Sequence, residues 1–403
     1  MRLLRTDKLE MVEFLGQDIP PYAILSHTWG TEEVTFQDIQ QGAAQSRRGY
    51  GKLAGACNVA MQDGFEFIWI DTCCIDKTSS AELSEAINSM FNWYRNTEVC
   101  YALLSDVDAQ EDAFALFSNF RESRWFTRGW TLQELIAPGV VYFYDAGWEQ
   151  IGSRDTLLTP IVEITGINSD CFTAGDLSQF SAAQIMSWAA NRNTTRIEDM
   201  AYCLLGLFDI NMPLLYGEGD RAFARLQEEI LRQSEDDTLF FHEEPSLLAT
   251  SPRWFSGRNN VCRSNSPDVH SRNLYITRSR IVLSFALIRV SRAQFDRECL
   301  ETVFPWPAGQ ATCYFIALLN CRDQTGSFPV LILSEQSSGL FEKAGHVSVL
   351  IASLAPRLRR GLAVQRVSVL RSSAPTSGKG SWDWGMGNKS VRSITREVIG
   401  GRP

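Results

Sequence analysis

Four short apolar runs alternate with amphipathic segments in the first 145 residues, and this order constrains the fold more than any other feature. The runs cover residues 22–25, 65–70, 99–104 and 140–144 and consist mainly of aliphatic and aromatic side chains. Continuous apolar runs of this length are typical of strands that are buried on both faces. Between them, apolar residues recur at helical spacing, most clearly over residues 83–94. The alternation predicts an α/β fold in which a parallel sheet is flanked by helices.

The remaining chain changes its pattern twice. From about residue 181 apolar residues recur at helical spacing, and from residue 274 β-branched and aromatic residues form runs of strand length. The last thirty or so residues lack any periodicity. We therefore predict four parts, which are an α/β domain over residues 1–145, a helical region over 146–245, a β-rich C-terminal region over 246–370 and a flexible tail over 371–403.

Charge and composition disfavour several classes of protein. A formal net charge of -9 argues against a chain whose main task is to neutralise nucleic-acid phosphates, so we expect no nucleic-acid partner. No apolar run reaches the roughly 18 to 20 residues that a membrane span needs. The 10 cysteines are scattered without a C-x-x-C pair, and Lys8, Glu10 and Glu13 lie where a signal peptide would be apolar. These features predict reduced thiols and a cytoplasmic location.

Glu134 is the first catalytic candidate because it lies just before the last of the four predicted strands. Ligands of parallel sheets bind at the carboxyl edge of the strands, where loops and helix N-termini converge. A carboxylate at that edge stabilises a developing cation or positions a ribose. A solvated helix glutamate is the alternative interpretation. The other polar residues at the predicted edge are Ser26, His27, Asp71, Asp76 and Asp106.

The residues after the second predicted strand allow several interpretations. Asp71 and Asp76 have the placement of carboxylates that hold a ribose hydroxyl, a metal ion or the N-terminus of the next helix. Cys73 or Cys74, with His27 as base, is a candidate nucleophile, and buried structural thiols are the simpler interpretation. The 4 histidines show no zinc-ligand spacing, so we predict no metal site.

Two segments of the predicted helical region are also ambiguous. Residues 217–222, GEGDRA, match a loose G-x-G-x-x-A pattern, but they open no second β-α-β unit. The pattern therefore favours a turn that leads into a helix over a dinucleotide site. Residues 192–199 carry charges of both signs, which fits a docking surface against the first domain. A solvated face with exposed ion pairs is the default interpretation.

Three sequence blocks carry a resemblance to a known family. They are YAILSHTWG at residues 22–30, FIWIDTCCIDK at 67–77 and SRWFTRGWTLQEL at 123–135. In this order they resemble the fungal heterokaryon-incompatibility (HET) domain, and RNTTRIED at 192–199 with LYGEG at 215–219 resembles the helical segment that often follows it. The resemblance implies a role in fungal non-self recognition, where incompatible fusions trigger programmed cell death.

The resemblance also implies a fold and a chemistry. HET domains are remotely similar to Toll/interleukin-1 receptor (TIR) domains, some of which cleave NAD with a glutamate in a Trp-Cys-x-x-Glu segment. Trp130 and Glu134 occupy the matching positions, which implies a flavodoxin/TIR-like sheet. Thr131 departs from that segment where it has cysteine, and Lys77 departs from the HET pattern, which more usually has glutamine.

We therefore predict that Glu134 acts on the nicotinamide ribose of NAD, as in an NAD glycohydrolase. NAD would be a substrate, and no tightly bound cofactor is expected. The alternative is a non-catalytic, oligomerising interaction module, and in both cases we expect protein partners and self-association. The predicted pocket is lined by Ser26, His27, Trp29, Asp71 and Asp76, with Trp29 or Trp130 stacking on a ring of the ligand.

Overall fold

The structure is a computed structural model, and a seven-stranded sheet forms its N-terminal part. The described residues are 1–263 except 17, 235 and 245, followed by 275–277, 280–291, 313–322, 328–337, 340–349 and 363–370. The tail predicted for residues 371–403 lies outside them. The strands of the first sheet are β1 (Arg2–Arg5), β2 (Met11–Glu13), β3 (Ala23–His27), β4 (Phe67–Trp69), β5 (Val99–Leu103), β6 (Val141–Tyr144) and β7 (Gln150–Ser153).

The order of the strands across this sheet is β2-β1-β4-β3-β5-β6-β7. The four central strands β4, β3, β5 and β6 are parallel, and they correspond to the four apolar runs of the sequence. Numbered along the chain, these parallel strands have the order 2-1-3-4, which is that of flavodoxin-like sheets. The predicted α/β class is confirmed.

The edges of the sheet differ from the prediction. Strands β1, β2 and β7 run antiparallel to their neighbours, so the sheet is mixed and its edge strands were not predicted. Because β7 pairs with β6, the sheet continues past residue 145 to Ser153. The boundaries between the predicted parts stay predictions.

Helices cover both faces of the central strands. Every residue of β3, β4 and β5 is buried, and successive residues of a strand point to opposite faces. The helices are α1 (Phe36–Gln40), α2 (Tyr50–Gln62), α3 (Asp71–Cys74), α4 (Ser80–Arg95), α5 (Asn119–Glu122), α6 (Thr131–Ile136), α7 (Leu158–Thr165), α8 (Asp170–Ala174), α9 (Ala182–Trp188), α10 (Asp199–Tyr202) and α11 (Arg221–Gln233). Short 3-10 turns cover Ala44–Ser46, Arg124–Thr127, Leu177–Gln179, Leu205–Phe208, Asp237–Phe240 and Pro252–Phe255.

Helix α4 links the first sheet to the helical region. Its N-terminus is capped by Ser79, whose hydroxyl accepts a hydrogen bond from the amide of Glu82 over 3.3 Å. On its other face it meets the turn that contains Gly206. A β carbon at Gly206 would lie only 2.0 Å from Cβ of Phe91, so only glycine allows this approach. No helix in the described part of the chain is long and apolar enough to cross a membrane.

The described C-terminal segments are strands, in agreement with the β-rich pattern of the sequence. Six of them form a second sheet in the order β11-β13-β14-β15-β10-β9, and β8 pairs with β12. These strands are β8 (Cys262–Arg263), β9 (Tyr275–Ile276), β10 (Arg280–Ser291), β11 (Cys313–Leu318), β12 (Cys321–Arg322), β13 (Phe328–Ser337), β14 (Leu340–Val349) and β15 (Ala363–Leu370).

Candidate functional site

A buried polar centre lies at the carboxyl end of β3. Ser26 and His27 are the last two residues of this strand, and they expose 0% and 5% of their surface. Strand β3 is the first parallel strand and lies between the second, β4, and the third, β5. The order of the strands reverses here, and in doubly wound sheets ligands bind in the crevice at such a point.

Helix α6 brings Glu134 to this centre. All six residues of α6 are buried, and Glu134 exposes only 7% of its surface. The Ser26 hydroxyl donates a hydrogen bond to Oε2 of Glu134, and the indole Nε1 of Trp125 donates to Oγ of Ser26 over 2.9 Å. These contacts hold the carboxyl group in one orientation inside the protein. The interpretation of Glu134 as a solvated helix residue is therefore wrong.

Burial changes the acidity of Glu134. It raises the pKa of this carboxyl group from its ordinary value of 4.5 to about 8. The hydrogen bond from Ser26 and the guanidinium groups of Arg128 and Arg192 lower the pKa, whereas the Asp71 carboxylate raises it. Glu134 is thus mostly protonated at neutral pH, and it ionises near pH 8 or beside a bound cation. A pKa displaced in this way is typical of catalytic groups, although structural networks also produce it.

His27 lies between two carboxylates without bonding to either. Its Nδ1 is 3.9 Å from Oδ1 of Asp71, and its Nε2 is 4.0 Å from Oε2 of Glu33. Neither ring nitrogen has a hydrogen-bond partner among the described residues. Burial, followed by the charge of Lys52, lowers the pKa of His27 to about 3. His27 is therefore a neutral imidazole in the wall of the centre.

Trp29 forms an exposed rim beside this centre. Its indole Nε1 donates a hydrogen bond to Oδ2 of Asp71 over 2.8 Å, and 45% of the residue is exposed. Nζ of Lys77 lies 3.7 Å from the centroid of the Trp29 ring, which is a cation–π contact. An indole that is fixed by a hydrogen bond and partly exposed offers a face on which an aromatic ring stacks.

Two predicted pocket residues are engaged elsewhere. Asp76 accepts hydrogen bonds from Nε2 of Gln37 over 2.7 Å and from the hydroxyl of Thr78 over 2.6 Å. The indole of Trp130 bonds to Asp199, in the helical region. The structure thus brings together Ser26, His27, Trp29, Asp71 and Glu134, whereas Asp76 and Trp130 stabilise neighbouring segments.

The two adjacent thiols are structural. Cys73 and Cys74 expose 0% and 3% of their surface, and their sulfur atoms contact the backbone of Ile70. A hydrogen bond with Cys74 and burial raise the pKa of the Cys73 thiol well above its ordinary range. A nucleophilic cysteine needs a lowered pKa and access, so a Cys73 nucleophile is not supported. In the described part of the chain, no group of three or more histidine, cysteine, aspartate or glutamate residues could hold a metal ion.

The loop at residues 217–222 leads into a helix, as the sequence favoured. Oε1 of Glu198 accepts hydrogen bonds from the amides of Gly217 and Gly219 over 2.7 and 3.1 Å. Both glycines have positive φ values, and α11 begins at Arg221. The polar groups of this loop are therefore used within the protein.

The solvated-face interpretation of residues 192–199 is wrong for two of them. Arg192 and Glu198 expose only 4% and 7% of their surface. Nη1 of Arg192 donates to the carbonyl of Arg128 over 2.8 Å and to Oγ1 of Thr131 over 2.9 Å. Arg192 thus docks the helical region onto the turn that precedes Glu134. This agrees with the docking surface that we gave as the alternative interpretation of residues 192–199.

A cavity of about 790 Å³ lies away from this centre. Its wall includes Phe91 of α4, Pro138 and Gly139 before β6, and Phe172 of the helical region. Because Pro138 and Gly139 precede β6, the cavity borders the amino edge of the sheet, whereas Ser26 lies at the carboxyl edge. The predicted pocket and this cavity are therefore different places.

Comparisons with known proteins identify relatives of part of the chain. Residues 22–117 match the family described as heterokaryon incompatibility protein (HET). This stretch contains Ser26, His27, Trp29, Asp71 and Asp76, and it ends before Trp130 and Glu134.

One curated relative matches a longer part. The chain is 48% identical over 265 residues to "Vegetative incompatibility protein HET-E-1" of Podospora anserina. The aligned part is 63% of this chain and 19% of that protein, so the chain spans about a fifth of the relative's length. No solved structure matches the chain.

Proposed function

The chain carries a heterokaryon-incompatibility domain, and on this premise we propose that it acts in fungal vegetative incompatibility. In this role it would respond to fusion with a non-self strain and trigger programmed cell death. The observation that carries the proposal is the 48% identity with a relative whose name describes vegetative incompatibility. We also propose that protein partners act upstream of this chain in incompatibility signalling and that the chain associates with itself.

The chemistry that we propose for the domain is hydrolysis of NAD at the nicotinamide ribose. The bond between the ribose carbon and the pyridinium nitrogen breaks, and its electron pair leaves with neutral nicotinamide. Water adds to the ribose carbon and releases a proton. Positive charge builds on the ribose during this step, and a carboxylate in a dry site stabilises it. The buried arrangement of Glu134 with Ser26 and Trp125 supports this assignment.

The acidity of Glu134 fits a cationic substrate. At neutral pH the empty site holds a mostly protonated carboxyl group, since burial raises its pKa to about 8. A pyridinium ring carries a positive charge, and an adjacent opposite charge favours the carboxylate. In the proposed mechanism, substrate binding therefore helps to generate the group that acts. Trp29 would stack on a ring of the substrate at the rim of the site.

The proposal is tested by nicotinamide release from NAD with the full chain. We expect release that increases steeply with protein concentration if the site is completed by self-association. Glu134→Gln should abolish release because the amide cannot ionise. Glu198→Gln is the matched control, since Glu198 exposes the same 7% but caps the loop at Gly217 and Gly219. No release by the unaltered chain at assembling concentrations, or equal release by the Glu134 variant, would contradict the enzymatic proposal.

An exposed apolar loop favours a second candidate function, a non-catalytic oligomerising module. In the segment after β5, Phe114, Leu116 and Phe117 expose 51%, 77% and 87% of their surface. Large apolar side chains that are exposed together are typical of protein contact sites. If this candidate is correct, replacing Leu116 and Phe117 with aspartate should abolish self-association and cell death, whereas Glu134→Gln should leave both unchanged. Sedimentation and a fungal viability assay would measure these outcomes.

A further inference from the structure

We propose that Arg192, which lies outside the first sheet, is a positioning residue for Glu134. A role of Arg192 in catalysis rests on the proposed function. Its effect on the orientation and the pKa of Glu134 does not depend on whether the protein is an enzyme. The segment after α9 thereby takes a direct part in the site of Glu134.

Arg192 is an unusual buried charge. It exposes 4% of its surface, and among the described residues no carboxylate forms an ion pair with it. Its Nε and Nη1 donate only to neutral groups, and its Nη2 is buried without a hydrogen-bond partner. Burial lowers the pKa of Arg192 to about 10. A buried guanidinium without an acidic partner is costly, which indicates that its position serves a purpose.

Hydrogen bonds connect Arg192 to Glu134 by way of Trp125, which takes part through both its backbone carbonyl and its indole. Arginine has no acceptor atom, so Oγ1 of Thr131 must accept from Nη1 of Arg192 and use its own proton elsewhere. The nearer acceptor for that proton is the carbonyl of Trp125, at 2.5 Å, and the carbonyl of Arg128 lies 3.0 Å away. The indole of Trp125 donates to Ser26, and Ser26 donates to Glu134. Arg192 thereby sets the direction of the Thr131 hydrogen bond, and Thr131 contacts the residue that orients Ser26.

The backbone next to Arg192 clamps the same turn. The amide of Gly129 donates to the carbonyl of Asn193 over 2.8 Å, and the amide of Asn193 donates to the carbonyl of Thr127 over 2.7 Å. A β carbon at Gly129 would lie 2.4 Å from Cγ2 of Thr194, so the two segments meet without room for a side chain. The N-terminus of α6 is therefore held from outside the first sheet.

Arg192 also acts on the charge of Glu134. Six titratable or charged residues from different elements lie near this carboxyl group. These residues are Asp71 of α3, Tyr94 of α4, Cys100 of β5, Arg128 before α6, Arg192 after α9 and Cys203 after α10. Of these groups, Arg128 and Arg192 are the cations, and both favour the carboxylate form. Removal of the Arg192 charge should make Glu134 harder to ionise.

The test uses the whole chain of residues 1–403, labelled with carbon-13 at the glutamate carboxyl carbon. The Glu134 signal is assigned by its absence in Glu134→Gln, and its midpoint is measured by NMR over a pH series. Arg192→Gln is expected to raise the midpoint by about one pKa unit or more, a tenfold change in proton affinity. Arg192→Lys should restore most of the shift because it keeps the charge.

Arg154→Gln is the matched control. Arg154 is also a buried guanidinium, and it donates to the carbonyls of Leu135, Pro138 and Gly139 at the other end of α6. We expect the Glu134 midpoint to be unchanged in this variant. Equal shifts in the Arg192 and Arg154 variants would mean a general structural effect and would overturn the proposal.

Other outcomes separate this inference from the proposed function. A wild-type midpoint in folded Arg192→Gln overturns the positioning role, whether or not the protein releases nicotinamide. Absence of release by the unaltered chain as well as by every variant, together with the shifted midpoint in Arg192→Gln, overturns the enzymatic proposal and keeps the positioning role. If Arg192→Gln does not fold, Thr131→Val interrupts the hydrogen bonds that connect Arg192 to Trp125 and leaves the charge in place. It should raise the midpoint less, and a wild-type midpoint there would also overturn the proposal.

Discussion

Glu134→Gln replaces a buried ionisable side chain with an uncharged one of the same shape. The pKa of Glu134 in the folded protein therefore predicts how the pH dependence of stability changes in this variant. The pKa of Glu134 is about 8 in the folded chain and about 4.5 when the group is solvated, as in the unfolded chain. Because the folded pKa is raised, the folded chain binds this proton more tightly than the unfolded chain. The contribution of Glu134 to stability is fully present below about pH 4.5, and it is lost as the pH rises through about 8.

The magnitude follows from the same two pKa values. One pKa unit corresponds to roughly 1.4 kcal/mol, so the full displacement corresponds to about 5 kcal/mol. Between about pH 5.5 and about pH 7.5, the free energy of unfolding of Glu134→Gln should rise by about 3 kcal/mol relative to the unaltered chain. The stability of the variant relative to the unaltered chain should therefore increase with pH over this range.

Urea unfolding, followed by tryptophan fluorescence at several pH values, measures this difference. Glu198→Gln is the control, because hydrogen bonds from its own amide and from those of Gly217 and Gly219 lower the pKa of Glu198. Stability from such a group is lost only as the pH falls through the lowered pKa, so the control should differ from the unaltered chain by a constant amount. A constant difference for Glu134→Gln as well would refute the raised pKa.

Three further changes test the packing around the site. Gly129→Ala should lower the free energy of unfolding by about 1 to 3 kcal/mol through its clash with Thr194, whereas Gly139→Ala, where nothing lies within 4 Å, should not lower the melting temperature. Trp125→Phe removes the indole donor to Ser26 and should cost about 1 to 3 kcal/mol in urea unfolding. A chain cut after residue 154 keeps β7 and the bonds of Arg154 to the end of α6, but it loses the clamp on the start of α6. Its urea midpoint should fall below that of the full chain, and equal midpoints would contradict the clamp.

The central strands could be predicted because a parallel strand that is buried on both faces has a continuous run of apolar residues in its sequence. Residues 22–25 and 99–104 are such runs, and both became fully buried strands. The edge strands β1, β2 and β7 are short and carry mixed side chains, so no period distinguishes them from loops. Their pairing is decided by tertiary contacts with β4 and β6.

The candidate site could be predicted only in part, for a similar reason. Ser26 and Asp71 follow from the rule that polar residues at the ends of parallel strands meet at the carboxyl edge of the sheet. Glu134 precedes a strand, and its place in the site was indicated by the resemblance of the segment that begins at Trp130. Arg192 could not be found in this way, because an arginine within a run of mixed charges has the sequence context of a solvated residue. The one available signal was the docking interpretation of that segment. The structure supports it through the bonds of Arg192 to the turn before α6.

In the proposed function, the neutral form of Glu134 links ligand charge to pH. With a pKa of about 8, the group carries little charge at neutral pH until a cation lies beside it. Binding of a cationic ring and loss of the proton are then coupled, so affinity for such a ring rises with pH up to about 8, whereas affinity for an uncharged ring does not. A direct ion pair with arginine would occupy the carboxylate and remove this coupling. Arg192 instead lowers the pKa of Glu134 while its hydrogen bonds go to neutral atoms, which leaves the carboxyl group free for a substrate cation.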